Sequence, residues 1–252
     1  MRLLHITDPH LRADPEARLH GWHVEQAFEQ VLTHAITRYP DYDALVLGGD
    51  LVDDESSAGY DRLNRRLAQL GRPVLAMAGN HDDPALMARL LTHARVHDEL
   101  ALGGWDLHAL DSHIPGDDAG RLGPAQLERL DRRLRAGAAP AVVFVHHPPC
   151  PMDSAWIDAI GLRDGAELGT LLAGYPRVRA VVCGHAHQAA RRSIGTIDCW
   201  VTPATMRQFL PHSAAFAEDR DRAPGYRLIE LSDDGVFTSR IHRVDAARRA
   251  CG

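Results

Sequence analysis

The stretch AMAGNHDDP, residues 76–84, places a glycine, an asparagine, a histidine and two aspartates directly after a short apolar run. The run PVLAMA (73–78), which leads into these polar residues, is typical of a buried strand. Taken alone, the polar residues could form either a solvated loop or one wall of a functional site. The rest of the chain decides between the two, because the same pattern recurs.

Short apolar runs alternate with helical patterns along most of the chain. Strands are predicted at 2–6, 44–48, 73–78, 105–110, 141–145 and 178–183, and helices at 22–38, 57–70, 84–91, 124–136 and 164–173. After residue 190 the pattern is typical of β-hairpins, and the segments 112–123 and 204–224 are long and irregular. Parallel βαβ units followed by hairpins predict an α/β chain with mixed sheets, and we see no linker that would divide it.

Polar clusters follow five of the predicted strands. They are TDPH (7–10), GD (49–50), GNHD (79–82), HHPP (146–149) and GHAH (184–187). Because ligands bind at the carboxyl ends of strands in open α/β sheets, we expect the five clusters to converge. The alternative is a set of solvated loops with capping Asp and Asn residues. That alternative has to explain five independent clusters, in order, each directly after an apolar strand.

The side chains in these clusters indicate a metal site. The candidate ligands are Asp8, His10, Asp50, Asn80, His146, His185 and His187. Carboxylate, imidazole and amide donors without a thiolate suit Mn, Fe(II) or Zn better than a structural cysteine–zinc site. Seven ligands are too many for one catalytic ion, so they fit two ions that share a bridging carboxylate.

The order D-x-H, G-D, G-N-H-D, H-H-P and G-H-x-H over residues 8–187 resembles the calcineurin-like metallophosphoesterase superfamily. Further stretches resemble its class III bacterial 3′,5′-cyclic-AMP phosphodiesterases. They are LRADPEARLHG (11–21), SAWIDAIGLRD (154–164), TPATMRQF (202–209) and APGYR (223–227). The resemblance implies a single metallophosphoesterase domain over 1–252, a four-layer α/β/β/α sandwich of two mixed β-sheets flanked by helices.

The resemblance also implies roles for individual residues. Asp8, His10 and His187 would hold the first ion, Asn80, His146 and His185 the second, and Asp50 both. The ions would be two divalent or mixed-valence transition metals (Fe, Mn or Zn). His81 would face the scissile phosphate as a catalytic residue, and Asp82 would orient it. Arg163 and Gln208, together with Asn80 and His81, are the expected substrate contacts, and Met206 and Phe209 are further candidates that could equally be core residues.

The implied activity is hydrolysis of 3′,5′-cyclic AMP to 5′-AMP by attack of a metal-bridging hydroxide on the phosphodiester. A broad-specificity phosphodiesterase stays open as an alternative. Its substrates would be glycerophosphodiesters, 2′,3′-cyclic nucleotides or other small phosphate esters. A binding scaffold that has lost its metals should lack ligands, whereas all seven are present here.

Charge and composition limit the partners. The formal net charge is −6 and the pI about 6.2, which disfavours a nuclease or another nucleic-acid binder. No run reaches the roughly 20 apolar residues of a membrane helix, so no membrane partner is expected. The N-terminus reads as a strand rather than a signal peptide, and the four cysteines show no CxxC spacing. We therefore expect reduced thiols, a cytoplasmic enzyme and a small cyclic-nucleotide substrate, and a homodimer is one assembly that the sequence allows.

Overall fold

The computed structural model describes residues 1–245, which form sixteen strands and six helices. The strands are β1 (Arg2–Ile6), β2 (Arg18–Leu19), β3 (Trp22–His23), β4 (Ala44–Leu47), β5 (Val74–Ala76), β6 (Arg95–Val96), β7 (Glu99–Leu102), β8 (Trp105–Leu110), β9 (Ala141–Val145), β10 (Val178–Cys183), β11 (Ala190–Ile194), β12 (Ile197–Val201), β13 (Gln208–Phe209), β14 (Glu218–Asp219), β15 (Gly225–Leu231) and β16 (Phe237–Arg243). The helices are α1 (Val24–Arg38), α2 (Ser57–Ala68), α3 (Pro84–Leu90), α4 (Gly123–Ala136), α5 (Ala155–Asp158) and α6 (Gly165–Ala173).

Twelve of the strands build two mixed sheets of six strands each. The first sheet has the order β16-β15-β1-β4-β5-β6, in which β1, β4, β5 and β6 are parallel. The second has the order β11-β12-β10-β9-β8-β7, in which β12, β10, β9 and β8 are parallel. Strands β15 and β16 are added antiparallel at one edge of the first sheet, and β11 and β7 are added antiparallel at the two edges of the second. The predicted pair of mixed sheets flanked by helices is confirmed.

Side-chain alternation along the strands separates three apolar layers. In β1, Leu4 and Ile6 pack on the same cluster as Phe28 of α1 and Leu63 of α2, whereas Leu3 points to the second sheet. β9 follows the same rule, because successive residues of a strand point to opposite faces. Its Val143 and Val145 pack with α4 and α6, and its Val142 and Phe144 lie between the sheets. The layers therefore run helix, sheet, sheet, helix.

Strand register brings the ends of the parallel strands level. Ile6 pairs with Leu47, which in turn pairs with Ala76, so β1, β4 and β5 end side by side. In the second sheet Val182 pairs with Phe144 near the ends of β10 and β9. The loops that leave these strands consequently start from one edge of each sheet.

Element boundaries differ from the predictions where local capping decides them. The helix predicted from residue 22 begins at Val24, because Trp22 and His23 pair with Arg18 and Leu19 in a short hairpin. His23 then caps α1 by accepting a hydrogen bond from the backbone N–H of Gln26 at 3.3 Å.

Two further predictions concern the membrane and the cysteines. Within residues 1–245, no helix is both long and apolar enough to cross a bilayer. Cys150, Cys183 and Cys199 are free thiols, and Cys251 lies outside the described residues.

Candidate metal centre

The loops after β1, β4, β5, β9 and β10 meet at the adjoining edges of the two sheets. Backbone hydrogen bonds join them. Asp8 N–H donates to the carbonyl of Gly49 at 3.0 Å, and Gly184 N–H donates to that of His146 at 3.0 Å. The backbone N–H of His185 donates to the Asp8 carboxylate at 3.1 Å, which links the second sheet to the first. The five polar clusters singled out in the sequence thus occupy one place.

Asp8, His10, Asp50 and His187 form the first donor group, and all four are buried. Their donor atoms lie within 4.8 Å of one another. His10 Nε2 is 3.3 Å from His187 Nε2, which is itself 3.3 Å from Asp8 Oδ1. The opposite ring nitrogens already have partners, since His187 Nδ1–H donates to the Arg207 carbonyl at 3.0 Å and His10 Nδ1–H donates to a carboxylate. Two imidazole lone pairs and two carboxylates therefore face a common point.

Asn80, His146 and His185 form the second donor group. His146 Nδ1–H donates to the Gly48 carbonyl at 2.7 Å, which leaves Nε2 as the inward-facing nitrogen. This Nε2 is 3.4 Å from Asp50 Oδ2, and His185 Nδ1 is 3.0 Å from Asn80 Oδ1. The Nε2 atoms of His146 and His185 are buried and have no hydrogen-bond partner among the described residues. Buried nitrogens without partners are what a bound cation would satisfy.

His147 lies beside this second group but uses both of its ring nitrogens elsewhere. Its ring centroid is 4.5 Å from that of His185. Nε2–H donates to the carbonyl of Asp118 at 3.1 Å, and Nδ1 accepts from the hydroxyl of Ser112 at 2.8 Å. His147 therefore supports the wall of the site and has no free lone pair to offer.

Asp50 lies between the two groups. Its Oδ2 is 3.6 Å from His10 Nε2 in the first group and 3.4 Å from His146 Nε2 in the second. Burial alone would lower the pKa of His146, but the carboxylates of Asp50 and Asp8 raise it to about 9. The groups on both sides of Asp50 consist only of the nitrogen and oxygen donors that transition metals accept.

Backbone strain is concentrated at these residues. Five of the seven candidate ligands have left-handed backbone: Asp8 (φ 55°), His10 (49°), Asp50 (51°), His185 (62°) and His187 (48°). Such conformations cost about 1–3 kcal/mol each for residues other than glycine. They persist because the surrounding loops hold them, and strain of this kind collects at functional sites.

Gly79 shows how closely the loops approach each other. A Cβ at this position would collide with the carboxylate of Asp50, so only glycine lets the 79–82 turn reach it. The backbone N–H of His81 then donates to Asp50 Oδ1 at 2.9 Å. The turn AMAGNHDDP thereby helps to position the carboxylate shared by the two groups.

His81 is partly exposed, with 41% of its side chain accessible. Its ring lies edge-on to that of His10, with the centroids 5.0 Å apart. The expectation that Asp82 orients His81 is wrong. Asp82 is fully buried and points away, because it accepts hydrogen bonds from the backbone N–H groups of Leu51 and Val52 and from the Tyr60 hydroxyl. It holds the turn that carries Asp50.

Replacing Asp82 with alanine is expected to lower the free energy of unfolding by about 2–4 kcal/mol, because several buried donors would lose their shared acceptor. Urea denaturation measures the effect. Tyr60→Phe, which removes one of those donors, is the matched control and should cost about 1 kcal/mol. Equal losses in the two variants would show that Asp82 does not organise the turn.

Asp53 performs the orienting role that the sequence interpretation gave to Asp82. Its Oδ1 is 3.1 Å from His10 Nδ1 and 3.4 Å from His81 Nδ1, and its Oδ2 accepts from the Arg12 guanidinium at 3.1 Å. The sequence interpretation missed Asp53. Its position three residues after Asp50 was the available signal, but nothing local distinguishes it from Asp54.

An Asp53→Asn variant should lose about 10- to 100-fold in metal affinity or in kcat/KM, the usual cost of removing a carboxylate behind a metal-binding histidine. Metal titration and steady-state kinetics measure both quantities. Asp54→Asn is the matched control, because Asp54 bonds Ser56 and the backbone of Ala13 and touches no donor histidine. A similar loss in both variants would contradict the assignment.

The two remaining expected substrate contacts lie in different settings. Arg163 is paired with Asp117 at 2.6 Å, and 45% of its side chain is exposed. Gln208 is buried, donates its amide to the carbonyls of Ala204 and Met206, and accepts from Arg243 at 2.8 Å. Its hydrogen-bonding groups are thus occupied inside the protein, which does not favour a substrate contact.

Two mixed sheets between helices, with buried His and Asp donors at their joined edges, define a metallophosphoesterase fold. The family described as Calcineurin-like phosphoesterase matches residues 1–189. The chain belongs to this family, whose members use a dimetal centre, and it is a hydrolase.

Relatives of known name match nearly the whole chain. A 3′,5′-cyclic adenosine monophosphate phosphodiesterase CpdA from Pseudomonas aeruginosa is 38% identical over 96% of this chain and 90% of its own. A probable cyclic nucleotide phosphodiesterase from a Synechococcus strain is 38% identical over 97% and 93%. Purple acid phosphatase from yellow lupin seeds has the same fold, with a TM-score of 0.66 and 13% identity over 98% of this chain and 52% of its own.

Proposed function

We propose that this chain hydrolyses 3′,5′-cyclic AMP to 5′-AMP. The chemistry is supported by the convergence of seven nitrogen and oxygen donors in two adjoining groups. The substrate is supported by the Pseudomonas relative, which is named a 3′,5′-cyclic adenosine monophosphate phosphodiesterase. It matches the chain over almost its full length.

Each donor group would hold one transition-metal ion. We assign Asp8, His10 and His187 to the first ion, Asn80, His146 and His185 to the second, and Asp50 to both. Bound ions of this kind lower the pKa of water and neutralise charge on phosphoryl oxygens. Fe, Mn and Zn all suit these donors. The protein supplies a buried, preorganised arrangement, because its donors are already held by bonds to their outer atoms.

His81 is open to a substrate, since 41% of its side chain is exposed. Its Nδ1 faces Asp53, which leaves Nε2 toward the open side. Hydrolysis adds water across the P–O3′ bond, so O3′ must gain a proton as that bond breaks. His81 would give that proton or hold a phosphoryl oxygen.

The proposal also covers the cellular location of the enzyme and the class of its substrate. We propose a cytoplasmic enzyme acting on a small cyclic nucleotide rather than on a nucleic-acid polymer. The net charge of −6 supports this substrate class, since no excess of positive charge is available to follow a polynucleotide backbone.

The test is turnover by metal-reconstituted protein of 3′,5′-cyclic AMP, 2′,3′-cyclic AMP and bis(p-nitrophenyl) phosphate. The highest kcat/KM is expected for 3′,5′-cyclic AMP. Turnover of the generic diester alone would overturn the substrate and favour a broad-specificity phosphodiesterase. Absence of turnover with full metal occupancy would overturn the hydrolytic assignment itself.

A further inference from the structure

A short hairpin is attached directly to the first donor group. Strands β13 and β14 pair Gln208 with Asp219 and Phe209 with Glu218, and residues 208–219 form the β13–β14 hairpin. Its base is fixed to His187 by two hydrogen bonds. Phe209 N–H donates to the His187 carbonyl at 3.2 Å, and His187 Nδ1–H donates to the carbonyl of the adjacent Arg207 at 3.0 Å. The hairpin therefore has a defined position relative to the metal-facing nitrogen of His187.

Three aromatic rings line the hairpin, and we call them the aromatic wall: Trp156, Phe209 and Phe216. Phe209 stacks on the His187 ring, with 4.1 Å between centroids and 7° between planes. Phe216 packs edge-on against Phe209 at 5.4 Å and against Trp156 at 5.2 Å. The rings thus form a packed row that leads outward from the donor group, with Phe209 buried at its inner end and Phe216 exposed at its outer end.

The outer end of the wall is unusually apolar for a surface. Phe216 is 52% exposed and the nearby Leu210 is 44% exposed, two of the three large hydrophobic side chains with high exposure among residues 1–245. The Arg207 guanidinium lies 5.3 Å from the Phe209 ring centroid and 5.5 Å from that of Phe216. Arg207 also pairs with Glu218 at 3.8 Å, so its charge is balanced within the hairpin. The exposed aromatic face suits a flat ring that stacks on it.

We propose that the aromatic wall binds the base of the nucleotide, with Phe216 providing the stacking face. This inference rests on the proposed function, which puts the cyclic phosphate at the donor groups. The base would then extend along the wall from His187 toward Phe216, and Arg207 would hold the ring of Phe216 in place. Stacking of this kind is sequence-tolerant, since every base has a π face.

Phe216→Ala tests the proposal, because a side chain that is half exposed can be removed with little risk to the fold. The KM for 3′,5′-cyclic AMP should rise by about 5- to 150-fold, the usual effect of removing one base-stacking ring. Turnover number should change less than about twofold, since the reacting atoms are untouched. Phe216→Trp, which keeps an aromatic face, should retain a KM near that of the wild type.

A base-free substrate separates stacking from other effects. Methyl riboside 3′,5′-cyclic phosphate has the same scissile ring without the base, so its KM should be the same in wild type and Phe216→Ala. Val236→Ala is the matched control, because Val236 is 50% exposed in the turn between β15 and β16. Equal KM changes for both substrates, or none for either, would overturn the proposal.

Two further measurements keep this inference distinct from the proposed function. Calorimetry of 5′-AMP binding to wild type and Phe216→Ala reports on the wall even if no cyclic AMP is turned over. Weaker 5′-AMP binding by the variant supports the wall, and unchanged binding overturns it. Sedimentation of both proteins detects the competing occupant. A change of oligomeric state on losing Phe216, with unchanged 5′-AMP binding, would assign this surface to a second copy of the chain.

Discussion

Asp50→Asn is expected to lower kcat/KM by about 10³-fold or more and to reduce the metal bound per chain. The Asp50 carboxylate lies within 3.6 Å of an imidazole nitrogen in each donor group. Removing its charge affects both ions, so the effect should at least equal the roughly 10²–10³-fold loss seen when one preorganised electrostatic group is deleted. Metal analysis of purified protein and steady-state kinetics provide the measurement.

The choice of asparagine keeps this test free of a folding artefact. Asp50 has left-handed backbone with φ of 51°, which asparagine adopts more readily than most residues. An asparagine carbonyl can also accept the hydrogen bond that His81 N–H donates to Asp50 Oδ1. Full metal occupancy combined with activity close to wild type would show that Asp50 is not the shared ligand.

His81→Ala is expected to lower kcat for 3′,5′-cyclic AMP by about 10²–10⁴-fold while both ions are retained. The reason is position, since 41% of the His81 side chain is exposed and its ring is a member of neither donor group, although it shares the Asp53 carboxylate with His10. Kinetics together with metal analysis test this. His93→Ala, at an exposed histidine beyond α3, is the matched control. Loss of metal in His81→Ala would identify His81 as a ligand instead.

A change of substrate then separates the two roles open to His81. The p-nitrophenolate of bis(p-nitrophenyl) phosphate leaves without help from an acid, whereas O3′ of the ribose needs a proton. If His81 donates that proton, the loss in kcat should be far larger for 3′,5′-cyclic AMP than for the activated diester. Equal losses for both substrates would show that it holds the phosphoryl group.

The motifs at the strand ends were predictable because the apolar run of a strand and the polar residues that follow it are both visible in a short stretch of sequence. An apolar run predicts a buried strand. The register of parallel strands then aligns the strand ends at 6, 47 and 76 in the first sheet, and those of β9 and β10 in the second. For this reason the mixed sheets and the convergence of the candidate ligands followed from the residue pattern, whereas the sandwich of two sheets followed from the family resemblance. Their assignment to particular ions stays a prediction.

The directions of side chains within the turns were not predictable. Asp82 and Asp53 differ in role only because one points into the core toward Tyr60 and the other toward His10. That difference is set by tertiary packing rather than by periodicity. The pairs β2–β3 and β13–β14 were missed for a related reason, because strands of two residues carry no alternation to detect.

The donor set also draws on both sheets, and this gives bound ions a second effect. Asp8, His10, Asp50 and Asn80 follow strands of the first sheet, whereas His146, His185 and His187 follow strands of the second. Ions coordinated by residues from both sheets would link the two sheets. A ligand that binds only the folded state stabilises it by about 4 kcal/mol at 1,000 times its dissociation constant. Chelation would then lower the stability of the folded protein as well as stop turnover. The lifetime of the folded enzyme would therefore depend on the concentration of available metal.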